Sequence, residues 1–133
     1  MRCKILGAVI ACAILVPAVP LWAHHSFSAG FDQEKKFTMT GTLTKVAWLN
    51  PHIEIWLEAR GEGNELETWR FEGMPPSFFR QRGIDKTRIT GEVGRLLTVK
   101  AARARDGSHF GLLWEITFAD GNSVELIPED LAP

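Results

Sequence analysis

Short runs of alternating apolar and polar residues, separated by turn signals, constrain this chain more than any other feature. The clearest run covers residues 52–59, where Ile53, Ile55, Leu57 and Ala59 share one face. A period of two residues is typical of a β-strand with one buried face. Similar runs cover residues 37–43, 66–72, 95–102, 112–118 and 124–127. The alternation therefore predicts a β-rich domain of about five or six strands.

The first of these runs changes phase near its end. Gly41 lies within it, and beyond Lys45 the apolar positions pass to Val46 and Trp48. A phase change close to a glycine is typical of a β-bulge or of sharp coiling. We therefore expect the first strand to bend, as the strands of small closed sheets do.

One segment of the chain carries helix signals. Pro75 and Pro76 stand at its start and Gly83 at its end, which is the asymmetry of a short helix. Three strands, a helix and a closing pair of strands follow the order of an OB-type barrel. We therefore predict an all-β fold with one short helix, built as a small five- to six-stranded OB-like barrel. A small β-sandwich is the alternative.

The first 23 residues are typical of a secretory signal peptide. A basic start precedes an apolar run over residues 5–16, and the segment ends at the small residue Ala23. Pro17 and Pro20 interrupt the run before it reaches the roughly 20 apolar residues that a spanning helix needs. We expect cleavage after Ala23, a periplasmic or secreted product and no membrane span in it. Lipid attachment at Cys12 is the alternative.

Cleavage there leaves residues 24–133 as one domain of modest size. Arg2 and Lys4 are two of the 15 basic residues, so 13 remain against 16 acidic residues, a net charge of −3. The basic residues are scattered among acids, which does not favour binding to nucleic acid or to an anionic membrane. Cys3 and Cys12 both leave with the signal, so no disulfide is expected. The oligomeric state stays open.

The cleaved chain divides into three parts. Residues 24–36 show little periodicity and are predicted to form an N-terminal arm, which Phe27 and Phe31 pin to the body. The single β domain is predicted over residues 37–128. Residues 129–133 follow it as a tail.

Several motifs together resemble those of a known family. They are His24-His25-Ser26-Phe27, Phe31-Asp32, Lys45-Val46-x-Trp48-x-Asn50-Pro51-His52, Phe71-Glu72-Gly73, Pro75-Pro76, Arg80-x-Arg82-Gly83 and Asp106-Gly107-Ser108. In these the chain resembles domain-of-unknown-function family 6152, a family of small exported bacterial proteins. The resemblance implies export, a single β domain and cleavage before the paired histidines, and it implies no activity. Gly91-Glu92-Val93-Gly94 departs from the family pattern in a turn.

The four histidines, His24, His25, His52 and His109, are the candidate metal ligands. Cleavage after Ala23 gives His24 a free α-amine beside its imidazole, and this chelating pair suits Cu(II). His25 adds a second imidazole, and His52 or His109 completes the site if the arm folds back. The chain lacks the histidine and cysteine spacing of a structural zinc site, so copper is favoured. The alternative is that the paired histidines are solvated residues of a flexible arm.

Three other features have both a functional and a plain structural interpretation. One interpretation of His52, which follows a turn, is a ligand or general base. The other, which we favour, is that it caps the turn or sits on a polar sheet face. Glu72 is expected to accept hydrogen bonds from the following helix N-terminus rather than to bind a metal. One interpretation of Arg80 and Arg82 is that they bind an anion. The other, which we favour, is that they lie in water on a short amphipathic segment that plugs the barrel and packs its phenylalanines inside.

Trp48, Trp56 and Trp69 are candidates for an aromatic ligand-binding face, since OB folds often bind ligands on such a face. Core packing is the favoured role, because each tryptophan fits a strand alternation. No nucleophile, phosphate-binding or dinucleotide motif occurs, so we predict no catalytic residue. The hypothesis is an exported binding protein for a divalent metal such as copper. The alternatives are a module that binds a small ligand or a protein partner through the aromatic face, and a copper-dependent oxidoreductase.

Overall fold

The computed structural model describes residues 29–127, which form six strands and two short helices. Both helices lie between the third and fourth strands, and each is far too short to cross a lipid bilayer. In chain order the elements are β1 (Phe31–Ala47), β2 (Glu54–Arg60), β3 (Leu66–Glu72), α1 (Pro76–Gln81), α2 (Lys86–Thr90), β4 (Leu96–Ala104), β5 (Phe110–Thr117) and β6 (Ser123–Glu125).

Five of the strands close into a ring. Antiparallel pairs join β1 to β2, β2 to β3, β1 to β4 and β4 to β5. A parallel pairing of β3 with β5 completes the ring, and β6 adds to the outer edge of β5. The predicted all-β class and its OB-like strand order are therefore confirmed, and the sandwich alternative is not adopted.

Strand β1 is long and pairs with two neighbours, and it bends where it passes from one to the other. Its first part pairs with β4, and its last part pairs with β2 through a register shift between Leu43 and Lys45. This shift is the bulge predicted from the phase change. Gly41 lies at the bend, where a Cβ atom would come within 2.8 Å of the Glu58 carbonyl oxygen. Only a glycine allows β2 to approach so closely.

The structure differs from the sequence-based expectation most at the start of β1 and in a second helix. Strand β1 begins at Phe31, earlier than the predicted start at Phe37, because a second register shift between Asp32 and Lys36 hides the alternation. A second helix, α2, was not predicted. The Asp85 carboxylate caps it by accepting a hydrogen bond of 2.7 Å from the backbone N–H of Arg88.

The interior of the ring is filled by the inward-facing residue of each alternation. In β2 these are Ile55 and Leu57, both fully buried. The main core also takes up residues from every other strand of the ring and from both helices. Its buried members are Leu43, Ile53, Ile55, Leu57, Trp69, Phe71, Phe79, Ile84, Ile89, Leu97, Val99, Ala101, Leu113, Ile116, Phe118 and Leu126.

Helix α1 closes one end of the ring. Phe79 points into the core with no exposed surface. Its ring lies edge-on to that of Trp48, with the ring centres 6.0 Å apart. Arg80 is exposed, and the Arg82 guanidinium lies 3.5 Å from the centre of the Phe78 ring. The plug therefore has Phe79 inside and Arg80 at the surface, whereas Phe78 is only partly buried and Arg82 Nε donates a hydrogen bond of 2.9 Å to the Glu125 carbonyl oxygen. We call the end of the ring that α1 covers the closed end.

Candidate functional site

The opposite end of the ring holds a pocket of about 620 Å³. The closed end lies where β2 begins and β3 finishes, because Glu54 pairs with Glu72 there. The pocket lies at the far ends of these strands, beside the β2–β3 turn at residues 61–65 and the β4–β5 turn at residues 105–109. We call it the open-end pocket. Two turns and the inner faces of β1, β3 and β4 form its walls.

The floor of the pocket is a stacked pair of aromatic rings. Trp69 faces inward on β3 and is 6 % exposed. The His109 ring lies parallel to it, with ring centres 4.5 Å apart and an interplanar angle of 12°. His109 is held there by the backbone, because its carbonyl oxygen accepts a hydrogen bond of 2.9 Å from the Arg70 N–H. The parallel pairing of β3 with β5 therefore creates this contact.

A carboxylate lies against the edge of the stacked pair. Glu67 Oε2 accepts a hydrogen bond of 3.1 Å from Trp69 Nε1 and lies 3.8 Å from His109 Nε2. A side chain on Gly61 would collide with this carboxylate, so a larger residue there would require the Glu67 side chain to move. The carboxylate thus anchors the Trp69 ring and lies beside the His109 ring.

Two arginines supply positive charge to the pocket wall. The Arg103 guanidinium carbon lies 5.4 Å from the centre of the Trp69 ring. Arg60 closes the rim, where its Nη1 donates a hydrogen bond of 2.9 Å to the Asn64 carbonyl oxygen. A concave surface with an aromatic floor and a few convergent polar groups is suited to binding a small molecule.

The turn that carries His109 is itself fixed by hydrogen bonds. Asp106 accepts hydrogen bonds from the Ser108 hydroxyl at 2.6 Å and from the Ser108 N–H at 2.9 Å. These bonds, the hydroxyl first, lower the pKa of Asp106 below its ordinary value of 3.8. Gly107 adopts a φ of 77°, a conformation that favours glycine. The chain therefore turns at Asp106-Gly107 between β4 and β5.

A second polar contact lies at the closed end. His52 Nδ1 lies 2.6 Å from Glu72 Oε1, and both side chains are mostly buried. The two segments are joined by backbone hydrogen bonds from Gly73 N–H to the Ile53 carbonyl oxygen and from Ile53 N–H to the Met74 carbonyl oxygen. The expectation that Glu72 bonds to the helix N-terminus is wrong. Its carboxylate contacts His52, and α1 has no side-chain cap.

The predicted metal ligands do not meet in the part of the chain that the structure describes. His24 and His25 lie outside the described residues. His52 contacts Glu72 at the closed end, whereas His109 stacks on Trp69 at the open end. Within residues 29–127, no group of three or more histidine, cysteine, aspartate or glutamate side chains is arranged around a metal position.

The three predicted ligand-binding tryptophans do not share a face. Trp48 packs against Phe79 at the closed end. Trp56 lies on the outer face of β2, with Lys45 Nζ 4.3 Å from the centre of its ring. Trp69 is paired across the strands with the buried Leu57 and faces inward. The open-end pocket therefore takes in one of the three, Trp69.

Two important pocket residues were not singled out from the sequence, Glu67 and Arg103. The signal for Arg103 was present, because it continues the inward phase of Leu97, Val99 and Ala101 in β4. The inward-facing positions of a strand are normally apolar, so a charged residue at one of them marks the point where the strand leaves the core. Glu67 shares the inward phase of Trp69 and gave the same signal.

The fold and the pocket together define a small ring of β-strands with one plugged end and one polar, open end. The model of a family of unknown function (DUF6152) matches residues 11–115 of the chain. The chain therefore belongs to this family, as its motifs indicated. No functionally curated protein matches the sequence.

Proposed function

We propose that this protein is an exported, non-catalytic binding module that takes a small ligand into the open-end pocket. The observation that carries the proposal is the stacked Trp69–His109 floor, which the backbone and Glu67 hold in place before any ligand arrives. A site organised in advance loses less conformational freedom on binding. Export is supported by the signal-like sequence of residues 1–23.

A screen of small molecules by thermal shift, followed by calorimetric titration of the hits, tests the pocket. We expect His109→Ala to weaken binding of a genuine pocket ligand about tenfold or more, since it removes half of the floor. His52→Ala is the matched control, because it removes a histidine at the other end. Hits that bind both variants as tightly as the wild type would place the ligand elsewhere and overturn the proposal.

Copper binding is a second candidate, favoured by one contact. Glu72 contacts Nδ1 of His52, which matches the carboxylate–histidine arrangement common around bound metals. In this hypothesis His24 and His25 of the cleaved chain supply the other nitrogen ligands, and Cu(II) suits such a set.

The copper candidate is tested by intact mass of the exported protein, measured native and denatured after exposure to substoichiometric Cu(II). It requires a chain that begins at His24 and retains one copper ion in the native measurement. His52→Ala and His24→Ala are each expected to weaken retention, whereas His109→Ala serves as the control. Retention that is unchanged in His24→Ala would rule this candidate out.

A further inference from the structure

We infer that the ligand of the open-end pocket is a small organic anion, a flat ring that bears a carboxylate. This inference rests on the proposed function and adds the chemical class of the ligand. Arg103 binds the carboxylate, and His109 stacks on the ring. Three features of the pocket support the inference: the position of Arg103, the unoccupied N–H donors of the two arginines and the exposure of His109.

Arg103 presents its guanidinium at the pocket. It is exposed at the mouth of the ring, beyond the apolar residues that share its phase in β4. Within residues 29–127, no carboxylate forms an ion pair with it. Its guanidinium carbon lies 5.4 Å from the centre of the Trp69 ring, beside the pocket floor. A guanidinium binds a carboxylate through two parallel hydrogen bonds, so Arg103 is suited to hold such a ligand here.

The carboxylates that line the pocket, Glu62 and Glu67, equal the two arginines in number, but neither forms an ion pair with Arg60 or Arg103. Glu67 accepts a hydrogen bond from Trp69 Nε1 and lies beside His109. Arg60 uses one nitrogen on the Asn64 carbonyl oxygen and keeps further N–H donors at the rim. The two arginines therefore offer the pocket N–H donors that no carboxylate among residues 29–127 occupies.

His109 supplies the site for a flat ring. One face of its ring stacks on Trp69, and the side chain is 44 % exposed and lines the pocket. A planar group placed on the opposite face of His109 extends the stack by one ring. Offset stacking of this kind favours unsaturated rings over saturated ones of the same size.

Calorimetric titration of the exported protein with four probes tests the inference. They are naphthoate, naphthamide, cyclohexanecarboxylate and inorganic phosphate. We expect naphthoate to bind about tenfold or more tightly than naphthamide, which has the same ring without the charge. Cyclohexanecarboxylate, which lacks the flat ring, and phosphate, which lacks any ring, are expected to bind more weakly than naphthoate.

Variants then assign the contacts. Arg103→Gln is expected to remove most of the preference for naphthoate over naphthamide, whereas Arg105→Gln, an exposed arginine in the adjacent turn, leaves it unchanged. The comparison of probes on the wild type needs no variant, so a folding defect in Arg103→Gln does not affect it.

The outcomes separate this inference from the proposed function. Equal binding of naphthoate and naphthamide, both lost in His109→Ala, would overturn the anion inference and leave the pocket proposal standing. Tight binding of phosphate alone would overturn the requirement for a ring. If naphthoate does not bind while the screen finds neutral ligands that depend on His109, the inference is again wrong and the pocket is retained.

Discussion

The two ends of the strand ring are built from the same strands and have opposite characters. At the closed end, Phe79 of α1 fills the opening and packs on Trp48. At the open end, the inward phases of β3 and β4 pass from apolar residues to Glu67 and Arg103. One end is sealed by packing, and the other leaves a polar pocket over an aromatic floor.

Because of this difference, we expect substitutions at one end to change stability and substitutions at the other end to change binding. A fully buried apolar side chain at the closed end, such as Phe79, stabilises the fold more than an exposed charge does, because it leaves water completely. The charged groups at the open end remain hydrated and contribute little to stability. Substitutions at the closed end should therefore lower the free energy of unfolding, and substitutions at the open end should change binding instead.

The strongest test is to remove the plug. Phe79→Ala is expected to lower the free energy of unfolding by about 3–5 kcal/mol, because it deletes a fully buried ring and leaves a cavity. Phe78→Ala on the same helix is the matched control, since its ring is only partly buried beneath Arg82. Denaturant unfolding followed by tryptophan fluorescence measures both. Equal losses in the two variants would contradict a closed end built around Phe79.

A smaller loss is expected when a methyl group is added beneath the plug. The Cβ atom of Gly73→Ala would lie 2.9 Å from Phe79 Cζ, and the tightly packed ring has little room to move. We expect a loss of about 1–3 kcal/mol from this overpacking. Gly63→Ala at the open end is the control, because its Cβ atom would meet only Glu65 Cγ at 3.9 Å. That variant should unfold at the same or a slightly higher denaturant concentration.

The helix that sequence patterns missed provides a third test. Asp85→Ala removes the cap of α2 and is expected to cost about 1 kcal/mol. Asp85→Asn keeps an oxygen that accepts the bond from the Arg88 N–H, so it should recover most of the loss. Both are measured by thermal unfolding. An Asn variant as unstable as the Ala variant would show that the charge of Asp85, rather than its hydrogen bond, stabilises this helix.

The success of the sequence-based prediction depended on how local each feature is. Strand β2 was predictable because Ile55 and Leu57 alternate with polar residues over a few positions. The bend in β1 was also predictable, since Gly41 and the phase change lie within one strand. Helix α2 has five residues, too few to display a helical period, and its only signal was the cap at Asp85.

The candidate site was less predictable because it depends on contacts between distant segments. His109 and Trp69 were each singled out, but for different roles. Their stacking follows from the parallel pairing of β3 with β5, which the local alternation does not encode. The same limit applies to His52, whose contact with Glu72 requires β2 and β3 to be in register.

At the open end, His109→Ala should separate stability from binding most clearly. The loss in unfolding free energy is expected to be about 0.5–1.5 kcal/mol, the contribution of one stacked ring pair. Binding in the pocket should fall about tenfold or more in the same variant. Unfolding and calorimetric titration of one preparation give both values. A stability loss as large as that of Phe79→Ala would make His109 a core residue and remove the contrast between the two ends.

The smallest effect concerns the turn that presents His109. The hydrogen bonds from Ser108 lower the pKa of Asp106 in the folded protein, so the stabilising effect of its carboxylate is fully present above the unfolded value of 3.8. It is lost as the pH falls through the lower, folded pKa. Ser108→Ala should raise the pKa of Asp106 toward 3.8, which NMR titration of the carboxyl carbon detects. Ser77→Ala, an exposed serine of α1, is the control.

Because the Asp106 carboxylate is exposed to solvent, we expect Ser108→Ala to change the pKa of Asp106 while His109 stays stacked on Trp69. A loss of that stacking in Ser108→Ala would mean that this turn, rather than the β3–β5 pairing, positions the floor of the pocket.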